Sequence, residues 1–469
     1  MPASIAHVVG LSLALVAGGT GLSGLSSGGD PYFPLDGNRG YDVAHYAIHD
    51  TYRPGTDRLR GTTVVRASAT EDLSRLSLDL VLPVDKVLVD GRPADFSKPN
   101  RHEVHVQLPD PVAAGDSFTV TVRYHGSPST LSAEGMRPNS DLYFHRPGET
   151  VAMGEPQNGA WWFAANETPA DKATFDITVR VPRGEDVVSN GSLVRHDVHD
   201  GWSGWHWRVD EPITTYMAFF AAGRFRLEQG TTDGRPYAYA VSRLLSRDDQ
   251  RTALRRLRMT GDLVAWLESV LGDYPFGEIG GVIPDVPAGY ALEDATRPVY
   301  PWYQGSRASW RLLMVHELAH QWFGDDVALR RWEDVWLNEG FATYMEWWFA
   351  EQHGGRTVAE HLQDQYRGIG AGSDFWQVEV SDPGPDRMWS NPVYVRGAMT
   401  LAALRNRIGD YDLTEVLHQW LADHHRDHGT GAEFRALAEQ VSGQNLDGFF
   451  QHWLDDTSKP EATSENGLG

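Results

Sequence analysis

The sequence predicts an α+β protein in which an all-β domain is followed by a mainly helical domain. Between about residues 41 and 227, short segments alternate apolar and polar residues, as in Phe175-Asp176-Ile177-Thr178-Val179, and this period of two is typical of half-buried strands. Turn pairs such as Asn190-Gly191 separate these segments and favour a sandwich or saddle of sheets. From about residue 248 onward, apolar residues recur at helical spacing.

The chain has 469 residues, which is enough for two or three domains. We predict a signal peptide and flexible segment at 1–30, a β domain at 31–229, the helical domain at 230–458 and a disordered polar tail at 459–469. The mostly apolar run at residues 8–17 has the length of a signal-peptide core and is too short to span a bilayer. It predicts a secreted protein without a stable membrane span. Since no Lys or Arg precedes this run, a cytoplasmic location stays open.

The composition excludes several classes of function. The formal net charge is -23, and so acidic a chain without a basic cluster is not expected to bind nucleic acid. There is no cysteine, which excludes disulfides and thiolate metal ligands. Any transition metal would therefore be bound by nitrogen and oxygen donors.

One stretch has the pattern of a metal centre: His316-Glu317-Leu318-Ala319-His320. On a helix, residues four apart lie on the same face, so both imidazoles can reach one ion. Glu339 follows at the start of a second apolar, helix-like segment and would complete the three protein ligands of a catalytic zinc site. We therefore predict one zinc ion per chain on His316, His320 and Glu339, with Glu317 facing a water molecule.

Simpler interpretations exist for this stretch and for two others. Without Glu339, the two histidines could belong to an exposed or salt-bridged helix, because so short a motif also occurs by chance. His424, His425 and His428 lie in a polar, charged run, and we interpret them as surface residues. By composition alone, Glu155 in a Gly/Pro-containing loop is a solvated acid.

The residues around the metal motif carry a family resemblance. The stretch His316 to Asp325, which reads HELAHQWFGD, and the stretch Trp336 to Ala342, which reads WLNEGFA, resemble the M1 (gluzincin) aminopeptidases. Eighteen residues separate His320 from Glu339, as in that family. The resemblance covers roughly residues 36–455 and implies a thermolysin-like zinc peptidase fold for the helical domain.

The resemblance also implies roles for individual residues. Glu293, in Tyr290-Ala291-Leu292-Glu293-Asp294, matches the family glutamate that binds the free amino group of the substrate, with Tyr290 and Ala291 beside it. Glu155 matches a second acid that the β domain contributes to the same amine. Tyr394, two residues before Arg396-Gly397, matches the tyrosine that stabilises the tetrahedral intermediate.

The sequence departs from the family pattern at that motif and at its end. Tyr290 stands where the family has glycine, Leu292 where it has methionine and Asp294 where it has asparagine. Because glycine allows close approach of a substrate backbone, a tyrosine there is expected to narrow or reshape the first specificity pocket. The sequence also stops where the family's large C-terminal helical domain would begin, so we expect a more open site.

Together these observations predict a zinc-dependent aminopeptidase that acts as a monomer on peptides with a free N-terminus. Glu317 would be the general base for the zinc-activated water, and Tyr394 would be the second catalytic residue. Three alternatives stay open: an endopeptidase with the same zinc chemistry, an epoxide hydrolase related to the leukotriene-processing branch of the family, and a non-catalytic secreted binding protein.

Overall fold

The computed structural model describes residues 28–133, 136–232 and 234–469, and it confirms a strand-rich N-terminal half followed by a helical half. The strands of the first half are β1 Tyr41–Arg53, β2 Arg58–Ala69, β3 Leu73–Asp79, β4 Val84–Val89, β5 Arg92–Pro93, β6 Phe96–Ser97, β7 Glu103–Val112, β8 Ser117–Gly126, β9 Tyr143–Arg146, β10 Glu149–Ala152, β11 Lys172–Pro182, β12 Asp186–Ser189, β13 Ser192–His199, β14 Trp202–Thr214 and β15 Phe220–Gly223. The second half contains β16 Phe225–Thr232, β17 Arg235–Ser242, β18 Ile279–Ile283, β19 Ala328–Leu329 and β20 His428–Gly429. Its helices are α1 Arg247–Leu257, α2 Thr260–Leu271, α3 Arg307–Ala319, α4 Trp336–Gln352, α5 Val358–Gly368, α6 Asn391–Ile408, α7 Asp410–Asp423, α8 Gly431–Ser442 and α9 Asp447–Phe450.

The largest sheet of the first half has the strand order β13-β14-β11-β1-β2-β8-β4-β5. Within it β1 runs parallel to β11, while the other pairs are antiparallel. Two smaller sheets, β3-β7-β6 and β12-β15-β10-β9, pack with it. On β11 the side chains of Phe175, Ile177 and Val179 are buried and those of Asp176 and Thr178 are half-buried, so the period of two does mark one buried face.

A third small sheet, β16-β17-β18, connects the two halves. Its strands β17 and β18 are parallel, and the chain between them forms α1 and α2. The boundary predicted at 229/230 falls inside β16, since the change from one group of sheets to the next occurs at Arg224. The exact division into domains stays a prediction.

Two terminal segments differ from expectation. The tail at 459–469, predicted to be disordered, packs against the helices: Asn466 is 2% exposed, and its carbonyl accepts a hydrogen bond from Trp453 Nε1 at 3.1 Å. Asp30, predicted to be part of a flexible segment, is buried and accepts a hydrogen bond from the Trp332 backbone N–H at 2.8 Å. Specific hydrogen bonds thus fix polar residues whose composition alone suggested disorder.

The predicted signal peptide lies outside the described residues. Across the ranges 28–133, 136–232 and 234–469, none of the helices is both long enough and apolar enough to cross a membrane.

Two glycines set the spacing of the helices α4 and α6. A Cβ atom added to Gly340 on α4 would lie 2.9 Å from the Cα of Gly397 on α6, and one added to Gly397 would lie 2.8 Å from the Cα of Gly340. The buried guanidinium of Arg396 fixes α6 further, because it donates to carbonyl oxygens that include those of Val378 and His452. The backbones can approach this closely because neither glycine has a side chain.

Candidate functional site

The predicted metal ligands lie at the junction of α3 and α4. His316 and Glu317 lie on the last turn of α3, His320 ends that helix, and Glu339 lies on the first turn of α4. Oε2 of Glu339 is 3.2 Å from Nε2 of His316 and 3.5 Å from Nε2 of His320. One nitrogen of each histidine and one carboxylate oxygen therefore converge on one point, and this donor set fits a zinc ion.

Each histidine is oriented through its other ring nitrogen. Nδ1 of His316 is 2.9 Å from Oε1 of Glu346, and Nδ1 of His320 is 3.1 Å from the carbonyl oxygen of Phe323. Such contacts fix the ring and direct Nε2 to the metal position. Glu346 was not predicted from the sequence, although it follows Glu339 by two helical turns and so lies on the same face of α4.

Glu317 is buried beside the predicted ligands, at 4% exposure. Carboxylate oxygens of Glu317 and Glu293 and a ring nitrogen of His320 lie within 4.8 Å of one another. Burial raises the pKa of Glu317 to about 8; the neighbouring carboxylate of Glu293 adds to this rise, and His316 opposes it. Glu317 is thus a buried carboxyl group next to the predicted metal ligands.

The loop that carries Glu293 is attached to both halves of the protein. Nε2 of Gln321, next to His320, donates to the carbonyl oxygen of Glu293 at 2.8 Å, and Oε1 of Gln321 accepts from the backbone N–H of Thr296 at 2.8 Å. From the β half, Nδ2 of Asn190 donates to the carbonyl oxygen of Ala295 at 2.9 Å. The position of Glu293 relative to the metal ligands is therefore fixed on two sides.

Glu155 lies in the same cavity, which corrects its interpretation as a solvated loop acid. It follows Gly154, whose φ of 149° and close contact with Leu142 leave no room for a Cβ atom. Oε1 of Glu155 and Oε1 of Glu293 are buried, and neither has a hydrogen-bond partner among the residues that the structure describes. Burial and the neighbouring Glu293 raise the pKa of Glu155 well above its usual range. Only the folded chain brings this loop, from the other half, to Glu293.

Tyr394, on the first turn of α6, lies on the other side of the ligand group. Its ring is nearly parallel to that of His316, with centroids 6.2 Å apart and an interplanar angle of 15°. One cavity of 660 Å³ is lined by Tyr394 together with the predicted metal ligands and the four acids Glu155, Glu293, Glu317 and Glu346. Leu313 and Trp389 add apolar surface to its wall. A cavity of this size accommodates a small peptide.

Tyr290 and Ala291 also line this cavity. The Tyr290 hydroxyl donates to the carbonyl oxygen of Asp141, and its ring packs edge-on against Phe144 with centroids 5.8 Å apart. This tyrosine therefore links the Glu293 loop to the β half at the cavity wall. Neighbouring Asp294 is fully buried, and burial raises its pKa well above the usual range, with Glu293 and Glu317 adding to the rise.

The histidines of the polar run lie elsewhere. Nδ1 of His425 is 3.0 Å from Oδ2 of Asp326, and Nδ1 of His424 is 2.9 Å from the carbonyl oxygen of His428. In the part of the chain that the structure describes, these three histidines join no group that could hold a metal ion.

Comparison with known proteins shows the family of the chain. The family model for the Peptidase M1 N-terminal domain matches residues 44–217, and the model for the Peptidase family M1 domain matches residues 303–453. The chain belongs to the M1 peptidase family. It is 23% identical to aminopeptidase N of Lactococcus lactis subsp. lactis over 82% of this chain and 47% of that protein. It is 25% identical to the tricorn protease-interacting factor F2 of Thermoplasma acidophilum, over 85% of this chain and 51% of that protein.

The M1 chain described here spans about half the length of these curated relatives. Among solved structures, it is similar to an M1 zinc metallopeptidase from Deinococcus radiodurans, with a TM-score of 0.80 and 26% sequence identity. That match covers 93% of this chain and 98% of the other. A mutant of the Deinococcus protein has been solved with the substrate Tyr-Ser-Ala.

Proposed function

We propose that this M1 chain is a zinc-dependent aminopeptidase that removes the N-terminal residue of peptides. The observation that carries this proposal is the pair of acids, Glu155 and Glu293, which line the cavity beside the predicted metal ligands. One buried carboxylate oxygen of each lacks a hydrogen-bond partner, and such groups are costly unless a ligand satisfies them. A protonated N-terminal amine carries three N–H donors and a positive charge, and so satisfies both.

Different residues of the cavity have different roles in the proposed reaction. One zinc ion on His316, His320 and Glu339 would supply the Lewis acid that polarises the scissile carbonyl and activates water. Glu317 accepts a proton from the attacking water and passes it to the leaving amine. The Tyr394 hydroxyl donates a hydrogen bond to the oxygen on which negative charge develops.

The same two acids separate this function from an endopeptidase with identical zinc chemistry. An endopeptidase must accept a continuing peptide chain on the N-terminal side of the scissile bond. In this cavity such a chain would place neutral amide groups against Glu155 and Glu293. Neutral amides compensate poorly for the water that the two carboxylates lose on burial. The first residue of the substrate therefore sets the register of cleavage.

The test uses p-nitroanilides of single amino acids, each assayed free and N-acetylated, with and without a zinc chelator. We expect the free-amine compounds to be hydrolysed much faster than their acetylated counterparts, and all hydrolysis to be lost with chelator. Equal cleavage of acetylated and free substrates would favour the endopeptidase. Activity that survives complete removal of metal would contradict the zinc mechanism.

Two further features of the protein are proposed on its sequence. The apolar run at residues 8–17 supports export, and N-terminal sequencing of the mature protein would show its removal; an intact segment on intracellular protein would argue against export. We also propose that the protein is a monomer, which sedimentation analysis would test.

A further inference from the structure

A second buried polar cluster lies in the β half, outside the cavity just described. Asp79 ends β3, Glu103 begins β7, and His102 precedes it; each of the three is 1% exposed. One potential ligand atom of each lies within 4.8 Å of those of the other two. None of these residues lines the proposed active-site cavity. The cluster is thus a distinct set of nitrogen and oxygen donors.

The polar atoms of this cluster are largely without partners. Within the described residues, five buried polar atoms of the cluster make no hydrogen bond: both ring nitrogens of His102, both carboxylate oxygens of Glu103 and Oδ1 of Asp79. The Leu35 backbone lies near His102 and the Ser77 hydroxyl near Glu103, but neither reaches ordinary hydrogen-bond geometry. Buried groups of this kind are rare in folded proteins because each loses its water without compensation.

The charges of the cluster add to this cost. Asp79 and Glu103 are directly opposite each other in the register of β3 and β7, and like charges at such positions destabilise a sheet. A third acid, Asp36, places Oδ1 at 3.9 Å from Nε2 of His102. The nearby cation, Lys98, donates instead to the carbonyl oxygens of Leu80 and Leu82. Oε2 of Glu103 similarly lies 3.9 Å from Nε2 of His105. Three acids thus share a buried site in which these two contacts with histidine are too long for hydrogen bonds.

Backbone contacts favour the ionised form of Asp79. Its Oδ2 accepts hydrogen bonds from the backbone N–H groups of Gly37 at 3.2 Å and Glu167 at 2.9 Å, and such bonds stabilise a carboxylate. Burial opposes this and raises the pKa of Asp79, and burial likewise raises the pKa of Glu103 to about 7. Either protons or a bound cation must therefore offset the cost of burying these acids.

We propose that Asp79, His102 and Glu103, with Asp36 as a fourth donor, bind a second divalent cation. One imidazole nitrogen with carboxylate oxygens is a donor set that suits Zn²⁺ or Mn²⁺, whereas Ca²⁺ and Mg²⁺ take oxygen ligands. The ion would join β3 to β7 and hold the segment that carries Asp36 against them. Its role is structural, since it lies outside the substrate cavity.

The experiment counts metal ions on the full chain. Protein is loaded with Zn²⁺, dialysed and analysed by elemental mass spectrometry. We expect two zinc ions per wild-type chain. The double variant His102→Ala/Glu103→Gln should retain one, and so should His316→Ala/His320→Ala, which removes ligands of the catalytic group instead. The matched control His199→Ala removes an exposed imidazole of the β half and should retain two.

A crystal of the wild-type protein soaked in Zn²⁺ or Mn²⁺ gives a second measurement that does not depend on the folding of any variant. An anomalous peak between Asp79, His102 and Glu103 supports the proposal. The proposal would be overturned by one zinc ion per wild-type chain that His102→Ala/Glu103→Gln retains, by two zinc ions in that variant, or by the absence of an anomalous peak in the β half. In each of those cases protons neutralise the cluster, and the proposed aminopeptidase activity is unaffected.

Discussion

The predicted metal-binding face and the proposed amine-binding wall of the cavity are built in different ways. The predicted metal ligands come from two neighbouring helices and lie within a stretch of 24 residues, 316–339. The two acids of the wall, Glu155 and Glu293, come from separate halves of the protein. Helical periodicity assembles the first region, whereas contacts between distant segments assemble the second.

This difference separates the expected consequences of mutation. Changes at the metal-binding face should reduce turnover of every substrate, because that face acts on the scissile bond. Changes at the amine-binding wall should depend on the charge of the substrate's N-terminus. Kinetic constants for paired free and acetylated substrates can therefore assign each residue to one region.

The largest effect is expected for Glu317→Gln. The amide keeps the shape of the side chain but cannot accept the proton of water, so kcat should fall by about 100 to 10,000-fold. Zinc content, measured by elemental analysis, should match wild type. Residual activity within tenfold of wild type would remove Glu317 from the role of general base.

A somewhat smaller loss is expected for Tyr394→Phe. Removal of one hydrogen-bond donor to a developing oxyanion typically lowers kcat by about 100 to 1,000-fold. KM and zinc content should change little, because the hydroxyl acts on the transition state. An increase in KM at constant kcat would instead assign Tyr394 to substrate binding.

Glu293→Gln tests the amine-binding wall. A hydrogen bond to a charged group contributes about 1.5–3 kcal/mol, which corresponds to an increase of roughly 10 to 100-fold in KM for free-amine substrates. Residual turnover of acetylated substrates should not fall. Glu155→Gln is the matched variant from the β half, and a similar pattern would place both acids on the same amine. Equal effects on free and acetylated substrates would contradict the proposal that Glu293 binds the free amine.

The smallest effect on turnover is expected for Glu346→Gln. Loss of a carboxylate that orients a metal-binding histidine typically lowers metal affinity by about 10 to 100-fold. At saturating zinc, kcat should stay close to wild type, and competition with a chelator should reveal the weaker binding. Unchanged zinc affinity would show that the contact with His316 Nδ1 does not orient the ring.

The sequence predicted what short-range periodicity determines. Alternating residues located β11, and the spacing of His316, His320 and Glu339 predicted a convergence that the structure places on α3 and α4. The family resemblance, confirmed by both family models, supplied the identity of Glu293 and Tyr394 as candidates. Their roles stay predictions until the kinetic tests above.

Features that depend on long-range contacts were not predictable from composition. Glu155 is a polar residue in a Gly/Pro loop, and only the packing of the two halves gives it a buried position next to Glu293. The tail was expected to be disordered because it is polar, yet Asn466 bonds to the Trp453 indole. The pairing of Asp79 with Glu103 likewise depends on the register of β3 and β7.

The contact between Gly340 and Gly397 limits how this protein can be made more stable. Replacing helical glycine by alanine is a common route to higher thermal stability, since it lowers the conformational entropy of the unfolded chain. At these two positions an added methyl group would meet backbone atoms less than 3 Å away and push apart the helices that carry Glu339 and Tyr394. Engineering for heat resistance should therefore retain both glycines. Alanine would raise helix propensity here, but it would also displace Glu339 and Tyr394 relative to each other.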